Sequence, residues 1–125
     1  MKKKTNQYYL NLILLIEKNL LGRKKSKVTA LEYFRSDAIS IQVYYKILTN
    51  HYSDKITNFE QLYKEMTYGS RQTIKTILDF AVTSKFLIIG QNKNDKRKKD
   101  IYPSKLTITE FEKHYGDLRD KLNEL

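Results

Sequence analysis

Hydrophobic residues recur at helical spacing along most of this chain. The first such segment, from about Asn6 to Leu21, predicts a helix that Gly22 ends. Its residues 8–16 are apolar on more than one face, whereas a surface helix of a small domain needs only one apolar stripe. Two interpretations follow: a partner covers the second face, or the helix lies at the centre of the core.

The middle of the chain predicts two helices with polar caps. A basic connector at 23–27 leads to a helical region that starts near Thr29, restarts at Ser36-Asp37 and ends around 52–54. Next comes a short helix with Asn58 as candidate N-cap. Its apolar side chains recur at i, i+3, i+4 and i+7, namely Phe59, Leu62, Tyr63 and Met66.

A turn at 67–70, with Ser70 as a cap, separates this short helix from an amphipathic one. The apolar face of that second helix carries Ile74, Ile77, Leu78, Ala81 and Val82. Its other face is polar, so the pattern predicts one buried and one exposed side.

The pattern then changes to a β-hairpin. The short apolar run 86–89 is typical of a strand, residues 90–100 are polar, and Ile101-Tyr102 resume a strand that Pro103 places at an end or an edge. The hairpin therefore covers 86–104 and has a long basic tip. A final helix, 106–125, carries an apolar seam at alternating spacings of three and four, which is typical of helix-on-helix packing.

Composition and charge point to a nucleic-acid partner. The 125 residues suffice for one domain, and the absence of cysteine excludes disulfides, thiolate metal sites and a cysteine nucleophile. The net charge of +10 favours a polyanion, nucleic acid before an anionic membrane. Residues 1–27 carry eight basic and one acidic side chain, and residues 56–105 carry ten and five.

Together these elements predict a mainly α fold with a small β-hairpin wing, a winged helix-turn-helix. The second helix of the pair would enter a major groove, and the wing would reach an adjacent minor groove or the backbone. On the helix, the candidate DNA contacts are Arg71, Gln72, Thr73, Lys75 and Thr76. On the wing they are Lys93, Lys96, Arg97, Lys98 and Lys99.

At these residues the chain resembles the MarR family of bacterial transcription regulators, over roughly 37–112. Residues 70–74, Ser-Arg-Gln-Thr-Ile, are similar to the family's S-x-x-T-[VI] start of the recognition helix. Asp95-Lys96-Arg97, followed by Pro103-Ser104, is similar to its wing pattern D-x-R-x5-[LP]-[ST]. The turn at 67–69 is about one residue longer than the commonest family turn. In length and basicity the chain is similar to the small staphylococcal accessory regulator branch.

The resemblance implies a sequence-specific regulator of transcription that binds double-stranded DNA as a homodimer. It implies Arg97 as the wing contact in the minor groove, Asp95 as the residue that orients it, and Ser70 within the DNA-binding set. It divides the single domain 1–125 into dimerisation helices, 1–22 and 106–125, and a DNA-binding core, 37–105. The dimerisation residues would be Tyr9, Leu12, Ile13, Ile16, Phe111, Tyr115, Leu118 and Leu122. For some members it also implies a small-molecule effector, which this sequence does not identify.

Other classes of function find less support in the residues. His51 and His114 have no partner at ligand spacing, and no nucleophile–base pair or glycine-rich phosphate loop is present, so we expect no enzyme, metal or cofactor. The apolar run 8–16 is too short to span a membrane and lacks a signal-peptide cleavage site, so we expect a cytoplasmic protein.

Three alternatives stay open: a replication-initiator or nucleoid-type DNA binder with little specificity, a protein-interaction module, and a membrane-surface role for residues 1–25.

Overall fold

A computed structural model describes residues 2–21 and 29–125, without the side chains of residues 2–5 and 19–21. The predicted stop at Gly22 and the basic connector at 23–27 lie outside the described residues. In chain order the elements are α1 (Lys2–Leu21), α2 (Ala30–Phe34), α3 (Ala38–Tyr52), β1 (Thr57–Asn58), α4 (Phe59–Glu65), α5 (Arg71–Thr83), β2 (Leu87–Gln91), β3 (Lys99–Pro103) and α6 (Lys105–Asn123). The mainly α architecture with a β-hairpin is therefore confirmed.

The described residues group into two compact units. One comprises α1 together with residues 112–125, and the other comprises residues 29–111. The second unit contains the predicted helix pair and the hairpin.

Polar caps set where the helices of the second unit begin. The side chains of Thr29, Asp37, Asn58 and Ser70 each accept a hydrogen bond from the backbone N–H three residues further on. Such a bond satisfies one of the N–H groups that the first turn leaves without a helical partner. All four residues are the predicted caps, so the helix boundaries follow from short polar side chains at the right positions.

The core of the second unit collects the apolar faces of its helices. On α5, Ile74, Ile77, Leu78 and Ala81 are buried as predicted, while Val82 is half-buried. They join a cluster with the buried side chains Phe34, Val43, Tyr44, Ile47, Leu62 and Phe86. Full burial of each large aliphatic side chain stabilises the fold by about 1.5–3 kcal/mol.

The sheet has one more strand than the sequence predicts. The strand order is β1-β3-β2, all antiparallel, with Thr57 opposite Ile101 and Leu87 opposite Pro103. The prediction of a two-stranded hairpin misses β1, because two residues are too few to show an alternating pattern. Pro103 is the last residue of β3, as predicted, and it lies beyond the two residues of β3 that pair with β1.

A buried threonine links the base of the wing to α6. The Thr107 hydroxyl donates to the carbonyl oxygen of Phe86 at 2.7 Å, and the Ser104 backbone N–H donates to the same oxygen at 3.0 Å. Ser104 Oγ also accepts from the Thr107 backbone N–H at 3.2 Å, as an N-cap does. These bonds fix where the last strand ends and the last helix begins.

We predict that Thr107→Val lowers the free energy of unfolding by about 1–2 kcal/mol, because the methyl groups keep the shape of the side chain and the buried hydroxyl is lost. Urea denaturation followed by circular dichroism measures this. Thr109→Val, the same change at an exposed position of α6, is the control and should move the midpoint little. Equal destabilisation by the two variants would contradict the role given to the hydroxyl.

Candidate nucleic-acid interface

The polar face of α5 is exposed along its first two turns. All six side chains predicted there are open to solvent: Ser70, Arg71, Gln72, Thr73, Lys75 and Thr76. They face outward because the aliphatic residues between them are buried at helical spacing. Gln72, Thr73 and Thr76 also line an open cleft of about 520 Å³ against the start of α3.

The turn before α5 is held in one conformation. Gly69 has a φ of +104°, which side chains rarely adopt, and a Cβ there would lie 3.1 Å from Ile39 and 3.3 Å from Ile74. The amide of Gln42 on α3 donates to Thr67 Oγ1 at 2.9 Å and accepts from the Thr67 backbone N–H at 3.0 Å. The start of α5 is therefore tied to α3 as well as to α4.

Arg71, a predicted DNA contact, lies against α4. Its two terminal nitrogens donate to Glu60 at 2.6 and 2.9 Å. Its guanidinium carbon lies 4.5 Å from the centre of the Tyr63 ring, at cation–π distance. The bond from Arg71 is the main reason that the pKa of Glu60 lies below its usual value.

This arrangement limits which donors Arg71 could offer to a nucleic acid. The guanidinium has five N–H donors, and two of its nitrogens already face the carboxylate. A DNA contact by Arg71 would have to use the remaining donors or replace Glu60 by a phosphate. The sequence analysis did not predict that Glu60 and Tyr63 contact Arg71. Opposite charges on two helices joined by a tight turn were a signal for the pairing of Arg71 with Glu60.

The wing brings together Arg97 and Asp95. The Arg97 side chain is 92% exposed, yet its Nε donates to Asp95 Oδ1 at 3.2 Å and its backbone N–H donates to the same oxygen at 3.0 Å. The side-chain bond from Arg97 is the largest cause that lowers the pKa of Asp95 below its usual value. The predicted cations Lys93, Lys96, Lys98 and Lys99 are all exposed around this pair.

The predicted dimerisation residues fall into two groups. On α1, Tyr9, Ile13 and Ile16 are 55%, 61% and 46% exposed, and Leu12 is half-buried. On α6, the side chains of Phe111, Tyr115, Leu118 and Leu122 are half-buried. The Phe111 ring centre lies 6.3 Å from that of Tyr44, so Phe111 contributes to the core of its own chain.

Residues 2–21 and 29–125 offer neither a metal-binding cluster nor a membrane-spanning helix. In those ranges, no group of three or more histidine, cysteine, aspartate or glutamate side chains is arranged to hold a metal ion. Among the helices of the same ranges, none has the length and apolar character needed to cross a membrane.

Comparison with known proteins supports the fold. No model of a known protein family matches the chain, and no curated protein matches it. Among solved structures, the chain is similar to a protein described as a MarR-like transcription regulator from Bacillus cereus ATCC 10987. The TM-score is 0.52 at 15% identity, over 98% of this chain and 84% of that one. At this identity the likeness shows the fold alone, and it confirms the winged helix-turn-helix that the sequence predicts.

We predict that Arg97→Ala raises the pKa of Asp95, without fully restoring its usual value because the backbone N–H of residue 97 still donates. Nuclear magnetic resonance of the carboxyl carbon across a pH titration measures this. In the unaltered protein the pair persists above the ordinary aspartate pKa of about 3.9 and is lost as the pH falls through the lowered folded-state value. Lys93→Ala removes a cation from the same tip and should leave the Asp95 titration in place. An unchanged pKa in Arg97→Ala would show that the pair does not form in solution.

Proposed function

We propose that this protein is a homodimeric transcription regulator that binds specific double-stranded DNA sequences, with α5 in the major groove and the wing in the minor groove. The observation that carries the proposal is the wing tip, where an almost fully exposed arginine is held by an aspartate among four exposed lysines. Such an exposed cationic projection suits the negative potential of a narrow minor groove.

The exposed face of α5 supports the major-groove assignment. Gln72 has the amide geometry that pairs with adenine, and Lys75 suits guanine or phosphate oxygens. The hydroxyls of Thr73 and Thr76 suit phosphate oxygens, and their methyl groups suit the methyl group of thymine. In the free protein these groups bond locally, with Gln72 Nε2 donating to Thr76 Oγ1 at 3.3 Å and Ser70 Oγ donating to Thr73 Oγ1 at 3.0 Å. These local partners satisfy the hydrogen-bonding groups of the side chains in the free protein, and in the proposed complex a base edge would take the place of those partners.

The apolar surface of α1 supports the homodimer. Six large apolar side chains of this helix are at least 40% exposed: Tyr8, Tyr9, Leu10, Ile13, Leu14 and Ile16. Exposed apolar patches of this kind mark interaction sites. A second copy offers the same helix, so a twofold axis would bury both surfaces at once and would match the symmetry of inverted-repeat DNA. The half-buried seam of α6 would add to that interface.

This assignment includes a cytoplasmic location and assigns no catalytic step, metal or cofactor to the chain. The small-molecule effector stays a prediction of the family resemblance, because no described residue identifies a ligand.

We expect selection of bound duplexes from a random DNA library at about 150 mM salt to enrich an inverted repeat with half-sites about one helical turn apart. Arg97→Ala should then weaken binding to the selected duplex by about 1–3 kcal/mol. It should also reduce the slope of log affinity against log salt concentration by about one, because one fewer counterion is released on binding. Arg119→Ala, which removes the same charge from α6 outside the candidate interface, is the control. Circular dichroism confirms that both variants are folded.

The other outcomes separate the alternatives. Binding without enrichment favours a replication-initiator or nucleoid-type binder, which should show little preference and steep salt dependence. No recovered DNA contradicts the proposal and favours an acidic protein partner for the basic face. Equal affinity of a folded Arg97→Ala variant contradicts the role of the wing.

We expect light scattering at tens of micromolar to give twice the mass of the chain, and Ile13→Asp to give a monomer, because a carboxylate would be buried without a partner. Asn6→Asp changes the charge of the same exposed helix by the same amount and should leave the dimer intact. A monomeric unaltered protein would contradict the homodimer.

A further inference from the structure

The polar tip of the wing is built around a buried carboxylate. Asp100 on β3 is only 2% exposed, although it lies next to a loop in which residues 93, 94 and 96–98 are open to solvent. A buried carboxylate is stable only where donors satisfy its oxygens. Here Asn92 Nδ2 donates to Oδ1 at 3.0 Å, and the Tyr102 hydroxyl donates to Oδ2 at 3.2 Å.

The orientation of the Asn92 amide is fixed by hydrogen bonds on both sides. Its NH₂ group donates to Asp100, and its carbonyl oxygen faces the loop. That oxygen accepts from the backbone N–H groups of Asn94 and Asp95, both at 2.9 Å. One side chain thus holds two consecutive peptide groups of the tip.

The bonds continue from Asp95 to the wing arginine. Asp95 Oδ1 accepts from the backbone N–H and the Nε of Arg97, as described above. The backbone of the tip closes with two further bonds, from Asn92 N to the Lys98 oxygen at 3.1 Å and from Lys98 N to the Asp95 oxygen at 3.0 Å. A continuous series of bonds therefore runs from the buried Asp100 carboxyl group to a guanidinium that is almost wholly in solvent.

The Tyr102 ring covers this buried end. It lies over Gly90, the residue opposite Asp100 in the β2–β3 ladder, and a Cβ at Gly90 would lie 3.1 Å from the ring. A side chain at position 90 would therefore meet this ring, whose hydroxyl bonds to the carboxylate. Asn92 and Tyr102 thus each bond to one oxygen of this buried carboxyl group.

We propose that Asn92, anchored on Asp100, is a positioning residue that sets the direction of the wing arginine. The inference rests on the proposed function for its effect on DNA. Ordering the tip before binding reduces the conformational entropy lost on association, so it raises affinity without a contact of its own. Asn92 acts through Asp95 and Arg97, which requires its effect on DNA binding to vanish when Arg97 is absent.

A double-mutant cycle tests this with the intact chain and the selected duplex. In the Arg97 background, Asn92→Ala should weaken binding about tenfold. In the Arg97→Ala background, the same change should alter affinity by less than about twofold. Asn94→Ala, an exposed asparagine of the same tip, is the matched control and should bind as the unaltered protein does.

A second measurement needs no DNA. The heteronuclear ¹⁵N nuclear Overhauser effect of Arg97 Nε and of the Asn94 and Asp95 amides reports how ordered the tip is. We expect these values to fall in Asn92→Ala and to be retained in Asn94→Ala, while the amides of α5 stay unchanged. If Asn92 acted only by stabilising the whole fold, the nuclear Overhauser effect values of the α5 amides would fall as well.

Three results would overturn the inference: equal weakening by Asn92→Ala in both backgrounds, unchanged affinity in the Arg97 background, or an Arg97 Nε that stays ordered without Asn92. If the unaltered protein binds no duplex, the proposed function fails by itself. The relaxation measurement then decides alone whether Asn92 positions Arg97.

Discussion

The burial of one face of α5 is the constraint on which the candidate interface depends. Ile74, Ile77, Leu78 and Ala81 must lie in the core, since each large aliphatic side chain left in water would forfeit about 1.5–3 kcal/mol. Their helical spacing then leaves one orientation for the rest of the helix, and the polar side chains between them face outward. Ser70 and Gly69 determine where this helix starts, so the exposed face is fixed in register as well as in direction.

The wing is subject to a different constraint: the five cations at its tip lie within eight residues and repel one another. Its tip keeps a shape through hydrogen bonds that involve few of those cations. Asn92 holds the backbone, Asp95 pairs with Arg97, and Gln91 Nε2 donates to the Lys96 carbonyl oxygen at 3.2 Å. The lysine side chains are thereby left exposed on an ordered frame. A loop of the same charge without those polar residues would have to be ordered by its ligand.

The fold could be predicted from the sequence where the signal is local. Four caps and the buried face of α5 follow from short polar side chains and from helical spacing, each visible within a few residues. The strand β1 could not be predicted, because its two residues become a strand only by pairing with β3, more than forty positions later. The pairing of Arg71 with Glu60 depends on the angle between two helices, and the role of Asn92 depends on a carboxylate that lies across the hairpin. In both cases the separation of the residues along the sequence does not show that their side chains are close in space.

Affinity and specificity in the proposed complex come from different kinds of side chain. On α5, Gln72, Thr73 and Thr76 are short or already hydrogen-bonded to neighbours, so they would lose little rotamer freedom if a base edge replaced those neighbours. The lysines of the wing are long and free to follow phosphates, which supplies attraction that depends on salt and hardly on sequence. Arg97 combines the two properties, since Asp95 limits its freedom while leaving it in solvent. An ordered arginine can discriminate by groove width, because it reaches the minor groove only where the walls of the groove meet its fixed direction.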